Sequence, residues 1–372
     1  MLKRKVLFIV PVLRRAGAEN QLVILLNRLP AEQFDKYLLS YRPGDDLKQD
    51  VDTSEIVMYE LRRKGRLDFD VGREIGKIID ENEIDIVHCT LRNALLFGYM
   101  GIRFSKRKPK LIGAVHSTQD VSFIIGVANL LFYRPILNRC NQVWFVSTTQ
   151  ADLWIRKMPF LAPKAITIHN GIDCDKFEPT CCQPAGQALR ESLGISDDEN
   201  VLCCIAGFRP EKLHAVLIDA FSRVRAEGIS CRLLLAGAGP TEQALREQVR
   251  DLNMDESVEF LGSLSDVRSV LAASDCKVLV SAAETFSMAM LEAMAMRVPV
   301  ITTSVGGAAE AIDDGVSGFL VRPGNAHELA TKIKVMLGND DRRMEMGRKA
   351  RQVVVEKFSV ERMVAKCAEQ LI

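Results

Sequence analysis

Short apolar runs alternate with helical patterns along most of the chain. In the first half the apolar runs are Lys5–Leu13, Lys36–Tyr41, Glu55–Leu61, Ile84–His88, Lys110–Val115, Gln142–Val146 and Ala165–Ile168. Helical patterns lie between most of them, at Gly17–Arg28, Asp70–Glu81, Leu91–Phe104, Ser122–Asn138 and Thr148–Lys157. This alternation predicts a parallel sheet covered on both faces. The periodicity lapses between Asp173 and about Glu199. Pro179, Cys181, Cys182, Pro184 and Gly186 stand there ahead of a short polar helix, and the segment reads as a linker. It then resumes, with strands at Val201–Ala206, Cys231–Ala236, Val258–Leu261, Cys276–Val280, Val298–Thr302 and Gly318–Val321. The accompanying helices are Glu211–Ala226, Thr241–Asp251, Ser265–Ala273, Ser287–Met296, Ala308–Asp313, Ala326–Leu337, Asp340–Lys357 and Val360–Leu371. The expected architecture is α/β, with two doubly wound, Rossmann-like domains at 1–175 and 200–357 and a linker at 176–199. In such sheets ligands bind at the carboxyl ends of the strands, and the cleft between two facing domains is the default site.

The stretch from Val278 to Gly307 concentrates the candidate chemistry. It starts in an apolar strand, passes through a short polar turn, and restarts as a helix at about Ser287. From Met288 to Met296 every residue but Glu292 is apolar, as expected of a buried helix. A carboxylate there is costly unless it finds hydrogen-bond donors. A second carboxylate, Glu284, precedes the helix. The backbone N–H groups near Phe286, Ser287 and Met288 have no partner within the helix and form a seat for phosphate. An anion seat flanked by two carboxylates suits a diphosphate with hydroxyl-rich groups at both ends, that is, a nucleotide sugar. The plainer alternative is a buried strand–turn–helix whose Glu292 is satisfied by an arginine or a backbone amide.

Composition narrows the class. With 372 residues, 48% hydrophobic and 26% charged, the chain is long enough for two ordinary globular domains. No apolar run approaches the roughly 20 residues that span a bilayer. The start, Met1–Leu13, has a basic head and an apolar body like a signal peptide. It lacks a small-residue cleavage site and runs into Arg14 and Arg15, so it reads as a first strand. The ten cysteines include no CxxC, and several lie in apolar runs, which points to a reduced cytosolic protein without structural zinc. Net charge is +1, but residues 1–180 carry 27 Lys and Arg against 21 Asp and Glu, and residues 181–372 carry 22 against 27. The two halves should therefore meet different partners.

Other motifs are weaker singly. Arg14-Arg15-Ala16-Gly17-Ala18-Glu19 puts small residues at a strand-to-helix turn, where backbone can approach a ligand. His116 ends one strand, and His88 ends another similarly. In Phe208-Arg209-Pro210-Glu211-Lys212 two cations open a helix, against its dipole, which calls for an anionic partner such as a diphosphate. Gly237-Ala238-Gly239-Pro240 lacks the later glycine of a dinucleotide fingerprint and excludes an NAD reading. Three DxD strings, at Asp50, Asp68 and Asp173, sit where no metal is expected.

Taken together, these residues resemble the retaining glycosyltransferases of the GT-B fold, family 4 type, over nearly the whole chain. The most specific mark is Glu284 and Glu292 with seven residues between, then Ala293-Met294-Ala295, Pro299-Val300 and Gly306-Gly307. Arg209-x-x-Lys212, Gly237-Ala238-Gly239-Pro240, Asn170-Gly171-Ile172-Asp173 and Ala16-Gly17-Ala18-Glu19 support it. The resemblance implies that Glu284 holds hydroxyls of the donor sugar and that Glu292 holds the ribose. The amides of Phe286, Ser287 and Met288 would hold sugar and phosphates, and Arg209 and Lys212 would neutralise the diphosphate. Gly17 would let the first domain reach the phosphates, and His116 would touch the donor sugar at the reacting centre. It also implies no metal or other cofactor, and a last helix, about 358–372, that crosses back onto the first domain. Thr285, Ser287 and Ala16 replace family glycines, which bears on the identity of the donor sugar.

The expected activity is transfer of a sugar from a nucleoside diphosphate, UDP first, to an acceptor hydroxyl with retention. The setting would be cell-surface polysaccharide or lipopolysaccharide assembly. Basic clusters at Arg62-Arg63-Lys64-Arg66 and Arg103 to Lys110, beside the apolar Leu91–Phe104, suit a lipid-linked acceptor and peripheral contact with the anionic inner face of a membrane. A solvated basic surface explains them equally. No nucleic-acid partner is expected. Two alternatives stay open: a nucleotide-sugar 2-epimerase, which needs no acceptor, and a non-catalytic nucleotide-sugar binding protein.

Overall fold

The structure, a computed structural model, describes residues 3–65, 68–116 and 133–372. It divides into two compact units, residues 1–171 with 360–372, and residues 172–359.

In the first unit β1 (Arg4–Val10), β2 (Phe34–Ser40), β3 (Ile56–Glu60), β4 (Ile86–Thr90), β5 (Lys110–Val115), β6 (Gln142–Phe145) and β7 (Ala165–Thr167) form one parallel sheet. Their order is β3-β2-β1-β4-β5-β6-β7. Val6 to Val10 are all 0% exposed, as expected of a central strand covered on both sides. One face is covered by helices Phe69–Glu81 and Arg92–Phe104. Asp68 caps the first of these by accepting from the N–H groups of Asp70 and Val71. The other face packs Phe8, Ile86 and Trp144 against helix Gly17–Arg28 and the terminal helix Val360–Leu371. An Arg28–Glu361 ion pair of 2.9 Å joins those two helices.

The second unit holds β8 (Asn200–Ile205), β9 (Cys231–Ala236), β10 (Val258–Gly262), β11 (Cys276–Leu279), β12 (Val300–Thr303) and β13 (Gly318–Val321). They are parallel, in the order β10-β9-β8-β11-β12-β13. In both sheets β-strand order reverses beside the first strand of the unit, which is the arrangement of two doubly wound halves.

Three expectations change. Residues 176–199, expected as a linker, contain the 14-residue helix Pro179–Ser192. Pro184 and Gly186 disguise it. Pro179 sits where a helix accepts proline, and a Cβ on Gly186 would lie 2.6 Å from Ala272, so the helix packs tightly on Arg268–Ala272. Arg190 then donates to the carbonyls of Ala273 and Ser196, at 2.9 and 3.1 Å. The expected helix Glu211–Ala226 is split at Leu213, whose φ of 45° is left-handed, into a 3-10 turn Pro210–Lys212 and helix His214–Ala226. His88 does not end its strand but lies inside β4, stacked between Phe8 and Trp144 at 5.2 and 4.8 Å. Most of the expected helix Ser122–Asn138, and Arg66, fall outside the described residues. What is described of that helix runs Arg134–Arg139.

Candidate functional site

In the second unit the loop after β8 is clamped before it supplies any side chain. Phe208 N–H donates to Ala238 O, and Thr241 N–H to Phe208 O, at 3.0 and 3.2 Å. Gly239 is required there, since a Cβ would stand 2.3 Å from Phe208 O. The Gly237-Ala238-Gly239-Pro240 turn thus acts as a brace for Arg209 to Lys212. A second tie runs from Ala282 N–H to Glu211 O at 2.8 Å, fixing this loop to the one after β11.

Those ties bring Lys212 Nζ within 2.5 Å of Glu284 Oε2, with both side chains about one-fifth to one-quarter exposed. Glu284 Oε1 also accepts from the N–H of Thr285 at 3.3 Å. The backbone of Glu284 and Thr285 rests on Gly306, where φ is 55° and a Cβ would stand 2.1 Å from Glu284 O. Gly307 N–H donates to Thr285 O at 2.8 Å. Arg209 is 66% exposed and faces Glu211 at 3.9 Å, so its guanidinium stays open to solvent.

Phe286 is buried against Phe358, with ring centroids 5.2 Å apart. Ser287 caps helix Met288–Ala295, its hydroxyl accepting from Met290 N–H at 3.3 Å. The expectation of an all-apolar helix broken once holds in space: Met290, Leu291, Ala293, Met294 and Ala295 are buried, and Glu292 is half-buried. No protein donor reaches the Glu292 carboxylate among the described residues. Burial holds its carboxyl above the ordinary glutamate range; Lys277 and Lys176 pull it down, less strongly, and Asp266 pushes it up.

Sequence reasoning missed several parts of this edge. Lys277, inside an apolar strand, is 0% exposed, and its Nζ has no hydrogen-bond partner among the described residues. A charge in the middle of Cys276–Val280 was the available signal. Thr303 Oγ1 accepts from Ser281 N–H and donates to Ser281 O, at 3.0 and 2.8 Å, closing the start of the Glu284 turn. His214 is buried edge-on to Phe208 at 4.9 Å, and burial lowers its imidazole to about 4.

The first unit holds the two remaining candidates. Gly17 opens helix Gly17–Arg28 with no atom within 4 Å of a Cβ position, so no local packing demands glycine there. His116 follows β5, half-buried, and desolvation lowers its imidazole to about 4. It lines a cavity of about 50 Å³ with Gln21, His88, Thr90, Trp144 and Asn170. Both ring nitrogens of His88 and the Thr90 hydroxyl are buried there without partners among the described residues. The cavity has room for a few ordered waters that would satisfy them.

Residues 186–353 match the family described as Glycosyl transferases group 1, and residues 15–176 match Glycosyltransferase Family 4. An uncharacterised glycosyltransferase of Methanocaldococcus jannaschii is 30% identical over 299 residues, 78% of this chain and 76% of that one. N-acetyl-alpha-D-glucosaminyl L-malate synthase of Bacillus anthracis is 36% identical over 177 residues, 48% of this chain; the match spans about half of that relative, 46%. The crystal structure of Anabaena Alr3699/HepE in complex with UDP and glucose superposes with a TM-score of 0.86 at 22% identity, covering 99% of both chains. The chain belongs to the family 4 glycosyltransferases and has their GT-B fold, two Rossmann-like α/β domains.

Proposed function

We propose that this protein transfers a hexose from a UDP-sugar to an acceptor hydroxyl with retention of configuration, in the assembly of a cell-surface glycan. The observation that carries the reading is the Lys212–Glu284 pair, followed on the next helix by a Glu292 that no protein donor satisfies among the described residues. Glu284 and Lys212 hold each other in place for a ligand that brings both a sugar and a diphosphate. Glu292 awaits donors, and ribose hydroxyls are donors. Arg209, exposed to solvent, adds a second positive charge for the leaving diphosphate. The first-turn amides of helix Met288–Ala295 supply a third, dipolar, source of stabilisation.

The hard step is departure of the diphosphate, and these groups stabilise the charge that grows on it. The leaving phosphate oxygen takes the proton of the acceptor hydroxyl, so no side-chain nucleophile is required. The UDP preference rests on the fold shared with a protein crystallised with UDP and glucose. Gly17 and His116 keep the roles the family resemblance gives them. In this reading no metal takes part, the enzyme works in the cytoplasm, and an acceptor on a lipid carrier would bring it to the inner membrane face. No helix among the described residues is long and apolar enough to cross a membrane.

The deciding experiment is thermal stability against UDP, GDP, ADP and their sugar conjugates. A ligand at about 100 times its Kd adds roughly 2.7 kcal/mol of apparent stability. A UDP-specific rise in Tm that vanishes in Glu292→Ala supports the reading; equal responses to all three nucleotides, or none, sink the UDP assignment.

A further inference from the structure

His88 is a buried polar residue that the donor chemistry does not use. Its ring lies inside β4, stacked between Phe8 and Trp144 at 5.2 and 4.8 Å. A phenyl or aliphatic side chain would pack there without desolvating two nitrogens, both of which are buried without partners among the described residues. Two residues on, the hydroxyl of Thr90 is in the same state, and Thr90 is 1% exposed. Side chains two apart on a strand share a face. The imidazole and the hydroxyl therefore open on one cavity, of about 50 Å³.

His116 lines the same cavity from the next strand. Thr90 pairs with Ala114 across β4 and β5, and His116 stands two residues beyond Ala114. The end of β4 is pinned at this point. Leu91 N–H donates to Ala114 O at 3.2 Å, and Leu91 is held there at a φ of 75°, a left-handed value that is costly for leucine. Gln21 hangs over the cavity from helix Gly17–Arg28 but is already engaged. Its Nε2 donates to Gly171 O and its Oε1 accepts from Gly171 N–H, at 2.9 and 2.8 Å. The two imidazoles are close enough for His116 to add to the lowering that burial imposes on His88. A neutral imidazole has one donor and one acceptor nitrogen, and the bond made at one fixes the tautomer at the other. The cavity has room for about three waters, enough for a hydrogen-bonded chain from His88 and Thr90 to His116.

We propose that His88 and Thr90 are positioning residues: through a short chain of waters in this cavity they hold the His116 imidazole in one tautomer and one orientation. The second nitrogen of His116 is then kept for the donor sugar. That last step rests on the transferase reading above; the relay to His116 does not.

The test uses the full chain labelled with 15N-histidine, read by the ring nitrogen shifts at neutral pH and by donor turnover. The chain has five histidines, and His116→Ala assigns the signal of interest. One His116 tautomer is expected in the wild type. Thr90→Val, which swaps the hydroxyl for a methyl of similar size, should give a mixture of tautomers. His88→Phe, which keeps a ring between Phe8 and Trp144, should do the same. Unchanged His214 shifts in the second unit and a retained UDP-induced Tm rise would show that the fold and the donor side are intact. Release of nucleoside diphosphate from the sugar donor should fall about tenfold in kcat in each variant, with donor KM unchanged, as for a misplaced reacting group. In a His116→Ala background the same two substitutions should cost nothing further. Unaltered His116 shifts in both variants, or a wild-type His116 that already mixes tautomers, overturns the relay. A further fall in kcat in the His116→Ala background also overturns it, by giving His88 and Thr90 a role of their own. If the shifts change as expected while the wild type turns over no sugar donor, the relay stands and the transferase reading fails.

Discussion

At the carboxyl edge of the second unit's sheet, opposite charges meet: Lys212 and Glu284 are 2.5 Å apart, and two loops are braced to keep them so. In the first unit, both ring nitrogens of His88 and the hydroxyl of Thr90 lie buried at a cavity, without partners among the described residues. The first arrangement pairs its central charges and leaves the Glu292 carboxylate and the Lys277 ammonium without hydrogen-bond partners among the described residues. The second is a site in deficit, with a buried imidazole and a buried hydroxyl lacking partners among the described residues. On the proposed reading the first suits a charged nucleotide, and the second, with room for a few waters, suits neutral hydrogen-bonding groups. Each prediction below tests one side of that contrast.

The largest effect is expected at Lys212. Lys212→Ala removes the cation nearest the proposed diphosphate and leaves Glu284 without its counter-ion. Turnover, read as release of nucleoside diphosphate from the sugar donor, should fall about 100-fold or more, the scale of losing one preorganised electrostatic contact. Arg209→Ala should fall by a comparable factor with less change in Tm, because its exposed side chain contributes little to the fold. Near-normal turnover in both variants would erase the idea that this edge is the donor side.

Next in size is the loss of nucleotide binding in Glu292→Ala. The roughly 2.7 kcal/mol gained at about 100 times the wild-type Kd should disappear. A UDP-induced rise in Tm that persists in Glu292→Ala would remove Glu292 from the donor side of the contrast.

How much of this was legible differs between the same two edges. The Glu284–Glu292 spacing, the Arg209–Lys212 spacing and the strand–helix alternation are local patterns, and local patterns survive in sequence. The turn Gly237–Pro240 was visible as a failed dinucleotide motif and a mark of the family resemblance, but not as a brace, because its partner, the carbonyl of Phe208, is 31 residues from Gly239 in a different loop. Lys277 hid inside a strand whose other positions are apolar. Helix Pro179–Ser192 hid behind Pro184 and Gly186, whose interior cost of about 3 and 1 kcal/mol is overcome by packing on Arg268–Ala272. In the first unit the packing of His88 between Phe8 and Trp144 depends on strand order β1-β4-β5-β6, which no spacing along the chain reveals.

A smaller effect separates the units by pH. Burial lowers the His88 imidazole from 6.5 to about 3. A histidine held neutral in the fold contributes stability that is complete above its ordinary value and is lost as pH falls from 6.5 toward 3. His116, lowered to about 4 by the same cause, acts in the same direction. The unliganded protein should therefore lose Tm on acidification, and His88→Leu should flatten that slope. An unchanged slope in His88→Leu would place the acid sensitivity elsewhere, in the second unit's His214 first of all.

The smallest expected change has the opposite sign and returns to Glu292. Its carboxyl is raised by burial, so the folded chain binds that proton more tightly than the unfolded chain does. Stability is then present at low pH and is lost as pH rises through the raised value. At neutral pH the ionised Glu292 is a net cost to the empty protein, reduced by Lys277 and not cancelled. Glu292→Gln keeps the shape and removes the charge. It should raise the Tm of the ligand-free protein by a few degrees and make it less dependent on pH, while weakening UDP binding. Lower stability in Glu292→Gln without ligand would mean that the carboxylate is a structural partner of Lys277. Higher stability with weaker binding would mean that the fold carries an unsatisfied carboxylate because the nucleotide satisfies it.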